Sequence, residues 1–263
     1  MLNHNGESLR IEAMLSARRR SIFRFVVPNA VTTLSLLIGL WALTCAARGN
    51  TVDAAWWILA SVLLDKLDGT FARLLRGSSD FGVQLDSLSD LICFGLAPAA
   101  TVVTYAAEQQ SWWTGGNEWL LWGCCATLPV CAAWRLAKFN VISEELGSAY
   151  FLGIPTTHVG GLVASSILVA SRYAVEGAAD AMPVLLVGFS LWMVSSLPMP
   201  KLRVTGKRVL DFIVFGNVAA AYILVPMREL PELLLAQAVI YAIGGTLAAL
   251  PHRGKLKSPP LFY

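Results

Sequence analysis

The chain has 263 residues, 56% of them apolar and only 14% charged, with a mean hydropathy of +0.61. Soluble domains carry roughly a quarter charged residues, so this composition excludes a soluble enzyme. Its runs of roughly 20 apolar residues suit helices crossing a ~30 Å hydrocarbon core, not the alternating strands of a barrel. A net charge of +3, with local arginines and no basic patch interleaved with aromatics, sets nucleic-acid binding aside.

Residues 1–26 form a basic N-terminal segment. Ile11, Met14, Leu15, Ile22 and Phe23 interleave with arginines between Arg10 and Phe25, which suits a short helix lying on an anionic leaflet; a solvated basic tail fits the same residues. Seven further hydrophobic segments follow the first and no cleavage site stands out, so a cleaved signal peptide is not expected. Eight spans are predicted, at 27–47, 52–75, 83–106, 118–140, 156–175, 182–200, 210–227 and 232–250. With the N-terminus in the cytoplasm, 16 of the 20 Lys and Arg fall on that side, only Arg48, Arg172 and Arg228 fall opposite, and Lys66 lies within a span. The positive-inside bias therefore places both termini in the cytoplasm. The expectation is one all-α integral-membrane domain over 27–250, a polytopic bundle of about eight helices in the cell (inner) membrane, ending in a cytoplasmic tail at 251–263.

Spans two and three hold acids that a bilayer disfavours: Asp65 and Asp68, then Asp86 and Asp90. Each costs ~2.5–3.5 kcal/mol near the centre of a span, so four without compensation would cost on the order of 10 kcal/mol. At 100° per residue, Asp65, Asp68, Gly69 and Ala72 share a ~60° sector of one helix, while Gly82, Asp86 and Asp90 line up at i, i+4 and i+8 on the next. The short, turn-rich connection Arg76–Asp80 makes these helices antiparallel neighbours, so the acidic faces converge near the cytoplasmic end. Oxygen ligands without His or Cys suit Mg²⁺ or Mn²⁺. Two such ions bridged by carboxylates can neutralise a pyrophosphate, the small residues Gly69, Ala72 and Gly82 admit a nucleotide close to the backbone, and Arg73 can reach its charge. The competing reading has the acids solvated at the membrane edge or paired with Lys66 and Arg73.

The pattern Asp65-x2-Asp68-Gly69-x2-Ala72-Arg73-x8-Gly82-x3-Asp86-x3-Asp90 resembles the signature of the CDP-alcohol phosphotransferase family at every defined position and gap. The resemblance implies transfer from a CDP-linked donor to an alcohol with release of CMP. It implies two divalent metals held by Asp65, Asp68 and Asp86, with Asp90 at the same site as the base, and a homodimer. Pro28-Asn29-x2-Thr32 resembles the family's first-helix segment beside the nucleotide, which adds Asn29 and Thr32 to Gly69, Ala72, Arg73 and Gly82 on the CDP side.

Phe81-Gly82-x2-Leu85-Asp86-Ser87-Leu88-x-Asp90-x3-Phe94-Gly95-x2-Pro98-Ala99, Arg135-Leu136-Ala137-Lys138-Phe139-Asn140, Gly153-Ile154-Pro155 and Met193-Val194-Ser195 resemble the branch of integral-membrane phosphatidylserine synthases. That branch implies CDP-diacylglycerol as donor and L-serine as acceptor, met at the cytoplasmic face of the bilayer. The departures are Cys93 for a usual serine, Lys138 for a usual arginine, and Thr156-Thr157-His158 for a more apolar continuation. The same chemistry on inositol phosphate or glycerol phosphate is the nearest alternative, and a transporter with an acidic cation site is the one from another class. Arg135 and Lys138, at i and i+3, bind the serine carboxylate or a lipid phosphate if they face the bundle, and snorkel if they face outward. The acidic faces carry no His or Cys, and Thr70, Ser87 and Ser89 have no matching base triad, so direct displacement with Asp90 as proton acceptor is expected, without a covalent intermediate.

The remaining signals read as structural. Cys45, Cys93, Cys124, Cys125 and Cys131 are packing residues, His158 is a local hydrogen-bonding residue, and Trp56, Trp57, Trp112, Trp113 and Trp119 form an aromatic belt. Gly160-Gly161 and Gly244-Gly245 are close helix contacts.

Overall fold

A computed structural model describes residues 4–75, 79–142, 150–200 and 208–251, with side chains described except at 4–24, 68, 71–75, 142, 150, 151 and 208–215. Its helices are α1 (His4–Ala47), α2 (Thr51–Leu75), α3 (Asp80–Asp90), α4 (Ala97–Glu108), α5 (Glu118–Ile142), α6 (Thr156–Arg172), α7 (Ala178–Val194), α8 (Arg208–Met227) and α9 (Pro231–Ala249). Helix thus occupies each of the eight expected positions. Among the described residues, four stretches, Phe25–Ala47, Asp80–Glu108, Glu118–Val141 and Pro231–Ala249, are long and apolar enough by length and composition to cross a membrane. The chain is an all-α membrane protein, with two three-residue strands among the described residues.

Two boundaries differ from expectation. The backbone is helical without interruption from His4 to Ala47, so the N-terminal segment and the first span are one helix through Pro28; its side chains before Phe25 lie outside the described residues. The sixth span stops at Val194 instead of residue 200. Leu197 and Met199 each precede a proline, which disfavours the α conformation. Pro198–Pro200 (β2) pairs antiparallel with Tyr150–Leu152 (β1), Phe151 opposite Met199.

The third span also carries a feature that composition does not reveal: α3 runs into α4 through a π-helical segment at Leu91–Leu96. Such one-residue expansions are often found at functional sites. Here the segment lies directly after Asp90.

The main core joins α2, α4, α5, α6 and α7 through Ile58, Val102, Leu128, Val163, Ile167 and Leu186, all buried. Trp56 and Trp113 belong to this core instead of a belt, and Trp113 donates from Nε1 to the Asp180 carbonyl at 2.9 Å. Trp112 and Trp119 are exposed, as a belt requires. Gly160 is a close contact, since a Cβ there would sit 2.8 Å from Phe94 Cδ1, and Gly245 abuts Pro200, whereas a Cβ on Gly244 would meet no other element within 4 Å among the described residues. All five cysteines are free, with Cys45, Cys93 and Cys125 buried.

At the end formed by the α1–α2 and α8–α9 connections, Arg228 pairs with Asp53 at 2.6 Å and Arg172 lies 3.8 Å from both Glu229 and Glu232. Arg48 stands over the Trp41 ring. The three arginines expected on the non-cytoplasmic side thus lie near helix ends remote in sequence from Asp65, Asp86 and Asp90.

Candidate active site

The site is built where α2 meets α3. Ser79 caps α3, its Oγ accepting from the Gly82 N–H at 3.1 Å, which satisfies an otherwise orphaned donor of the first turn. The helix so started carries Asp86 and Asp90 on one stripe and brings them to Asp65 on α2. One carboxylate oxygen from each of Asp65, Asp86 and Asp90 lies within 4.8 Å of the others, and all three residues are half-buried. Asp65 lies within hydrogen-bonding range of Asp90, and Lys66 is within electrostatic reach of Asp65. The convergence expected from the spacing is present for these three acids. Asp68 lies on α2 three residues past Asp65, with its side chain, like those of Ala72 and Arg73, outside the described set.

The donor set fits a hard divalent cation. It offers only carboxylate oxygens, one from each of three acids within 4.8 Å of the others, in a half-buried place where unpaired charge is costly.

Helix α1 forms one wall. Asn29 is half-buried and Thr32 buried, the latter donating from Oγ1 to the Pro28 carbonyl at 3.1 Å. A Cβ on Gly82 would come 2.9 Å from Asn29 Oδ1 and 3.2 Å from Ser79 Oγ, so a larger residue there would push these two side chains aside. Asn29 Nδ2 is buried with no hydrogen-bond partner among the described residues. A buried donor left open costs ~1–3 kcal/mol, which suits a group awaiting a ligand acceptor. Gly69 lies on α2, half-buried, one residue beyond Asp68.

Helix α5 forms the other wall. Arg135 turns into the bundle, resolving the two orientations the sequence left open: its Nη2 donates to the Leu152 carbonyl at 3.5 Å, it lies within electrostatic reach of Asp90, and its Nε is buried without a partner among the described residues. Lys138 is half-buried one turn on. Asn140, quoted in a motif but given no role, ties α5 to α3 by donating from Nδ2 to Ser87 Oγ at 2.9 Å and to Gln84 Oε1 at 3.4 Å. Thr157, noted only as a departure, donates from Oγ1 to Asp65 Oδ2 at 3.1 Å. Both follow from long-range packing that helical periodicity does not encode.

Below the acids lies a buried polar layer. Ser35 and Ser61 exchange long hydroxyl-to-carbonyl contacts of 3.4 and 3.5 Å, and Cys93 Sγ donates to the Ser35 carbonyl at 3.4 Å while lying 3.8 Å from Ser89 Oγ. Cys93 is therefore a packing residue that also holds a hydrogen bond.

Comparison with known proteins agrees with this geometry. A protein from Helicobacter pylori strain J99 named CDP-diacylglycerol–serine O-phosphatidyltransferase is 31% identical over 184 residues, 68% of this chain and 73% of the relative. One of the same name from Mycobacterium bovis is 31% identical over 193 residues, 70% of this chain; the chain spans 64% of that relative's length, under two thirds. A third of that name, from Methanocaldococcus jannaschii, is 25% identical over 221 residues, 84% of this chain and 92% of the relative. A family model for CDP-alcohol phosphatidyltransferase matches residues 25–192, the stretch that contains α2, α3 and both walls of the acidic site, and the chain belongs to that family.

Proposed function

We propose that the protein transfers the phosphatidyl group of CDP-diacylglycerol to the hydroxyl of L-serine, giving phosphatidylserine and CMP. The observation that carries this reading is the cluster of Asp65, Asp86 and Asp90, with carboxylate oxygens within 4.8 Å of one another, inside a chain of the CDP-alcohol phosphatidyltransferase family. The shared name of the bacterial and archaeal relatives supports serine as acceptor.

Asp65, Asp68 and Asp86 would hold Mg²⁺ or Mn²⁺, two ions in all, with Asp90 beside them at the same site. Bound there, such ions neutralise a pyrophosphate and make its phosphorus more electrophilic. Asn29, Thr32, Gly69, Ala72, Arg73 and Gly82 receive the CDP portion: the glycines and Ala72 leave room, Asn29 Nδ2 supplies a free donor, and Arg73 meets phosphate charge. Arg135 and Lys138 hold the serine carboxylate. Asp90 takes the proton of the serine hydroxyl as its oxygen bonds to the β-phosphorus, and the bond from that phosphorus to the bridging oxygen breaks, so that CMP leaves with the electron pair. Displacement is direct and in line, which reduces the catalytic task to positioning plus one proton acceptor.

The site opens to the cytoplasm in this reading, with residues 27–250 spanning the inner membrane eight times, both flanking segments, 1–26 and 251–263, in the cytoplasm, and two copies forming a homodimer. A lipid-embedded donor then meets a water-soluble acceptor at the interface.

The test offers purified protein CDP-diacylglycerol with labelled serine, glycerol phosphate and inositol phosphate, with Mg²⁺, Mn²⁺ or excess chelator. Phosphatidylserine alone, formed only with metal and lost in Asp86→Ala, is the expected result. Reaction with another alcohol in place of serine replaces the acceptor while keeping the reaction class; full activity in chelator overturns the metal site.

A further inference from the structure

Thr157 sits at the second position of α6, a helix whose start is fixed from three directions. On the near side, the Gly153 N–H donates to the Leu197 carbonyl at 2.8 Å. Gly153 has φ +70°, and a Cβ there would collide with the Met193 carbonyl. The turn leading into α6 is thereby locked to the end of α7. On the far side, His158 Nε2 bonds the Ala238 carbonyl of α9 at 2.9 Å, a carbonyl being able only to accept, so Nε2 carries the proton. The His158 ring meets the edge of Tyr241 at 5.0 Å, and the Tyr241 hydroxyl donates to the Pro200 carbonyl at 2.8 Å. Between these anchors the Thr157 side chain, stiff at χ1 because it is β-branched, donates to Asp65 Oδ2 at 3.1 Å.

We infer that Thr157 is a positioning residue for the Asp65 carboxylate, setting its orientation for the divalent cation, and that α9 acts through the His158 clasp as the strut that holds Thr157 in place. This rests on the reading of Asp65 as a metal ligand. An ionised carboxylate only accepts hydrogen bonds, and a donor on one oxygen fixes the plane in which the remaining lone pairs point. Groups in that position commonly change metal affinity or activity by 10–100-fold when lost. The inference gives a function to Thr157-His158 and to the ninth helix, which lies beyond the matched residues 25–192.

The experiment titrates Mn²⁺ alone into full-length purified protein without CDP-lipid, following free Mn²⁺ by electron paramagnetic resonance, for wild type, Asp65→Ala, Thr157→Val, Thr157→Ala and Thr157→Ser. Thr157→Val, which keeps shape and loses the hydroxyl, should weaken Mn²⁺ binding by about 10–100-fold, and Thr157→Ser should restore it. In turnover, Thr157→Val should need correspondingly more metal for half-maximal rate while the KM for serine moves little. If Thr157→Val does not fold, Thr157→Ala carries the same comparison. Wild-type Mn²⁺ affinity in a folded hydroxyl-free variant, beside weakened binding in Asp65→Ala, overturns the inference alone. Undiminished binding in Asp65→Ala overturns the reading of the site and the inference with it.

Discussion

Gly39 of α1 lies so close to Cys93 that a Cβ on the glycine would fall 3.1 Å from the Cys93 Cα and closer still to its sulfur. Gly160 of α6 approaches the next residue, Phe94, from another helix. The π segment that follows Asp90 is thus gripped on two sides by glycines, and this grip sets the depth at which α3 presents its acids.

Gly39→Ala should therefore destabilise the protein by about 1–3 kcal/mol, the usual range for overpacking, and lower activity by shifting α3. The apparent Tm in detergent should drop by several degrees. Cys93→Ala in the same chain removes the sulfur but leaves the Cα and Cβ contacts at 3.1 and 3.2 Å, so it should restore only part of the loss. An unchanged Tm in the single variant would show that α1 can move aside freely.

Asn140→Ala removes hydrogen bonds that tie α5 to Gln84 and Ser87 of α3. Interhelical hydrogen bonds in membrane proteins average ~0.6 kcal/mol, so stability should change little. The distance between α5 and the Asp86–Asp90 stripe is another matter: if Arg135 acts on a substrate held over those acids, kcat should fall several-fold while the Tm stays within a few degrees. Equal loss of both would mark Asn140 as a packing residue only.

The acids were legible because their spacing alone puts Asp65 on one face and Asp86 and Asp90 on another, with a turn too short to separate them. Arg135 was not, because α5 is apolar around most of its circumference, and such a helix gives no periodic signal for which side faces inward. The same uniformity hid the division among the tryptophans: Trp56 and Trp113 pack inside while Trp112 and Trp119 face out, though all stand near one end of the bundle. The π segment adds no distinctive residue, and β1 and β2 are three residues each, with two prolines in β2, too short for alternation to show. Thr157 stood out only by its departure from a pattern; its contact with Asp65 spans 92 positions and arises from how α6 packs on α2.

Asp90→Asn should lower kcat by ~10²–10⁴, the usual contribution of a general base, with a smaller effect on the KM for CDP-diacylglycerol. Asp86→Ala should instead abolish turnover and weaken Mn²⁺ binding. Matching losses of Mn²⁺ affinity in both variants would assign Asp90 to metal binding alone. Direct displacement also requires inversion at phosphorus and no exchange of labelled CMP into CDP-diacylglycerol without serine; retention with serine-independent exchange would reveal a covalent intermediate.

Arg135 offers the sharpest test of the acceptor. Its guanidinium is turned into the bundle with one long hydrogen bond to the Leu152 carbonyl at 3.5 Å, and its Nε has no partner among the described residues. A buried arginine with open donors fits a planar carboxylate, which it can grip with two parallel hydrogen bonds. Charged hydrogen bonds contribute about 1.5–3 kcal/mol, so Arg135→Ala should raise the KM for serine by roughly 10–100-fold at 1.4 kcal/mol per decade, leaving the KM for CDP-diacylglycerol nearly unchanged. Arg135→Lys keeps the charge but loses the fork and should recover only part of the loss. Serinol and ethanolamine, which lack the carboxylate, supply the control: if Arg135 holds that group, the variant should favour serine over these amino alcohols far less than wild type does. A larger change in the KM for CDP-diacylglycerol than for serine would move Arg135 to the donor side and leave the serine carboxylate to Lys138.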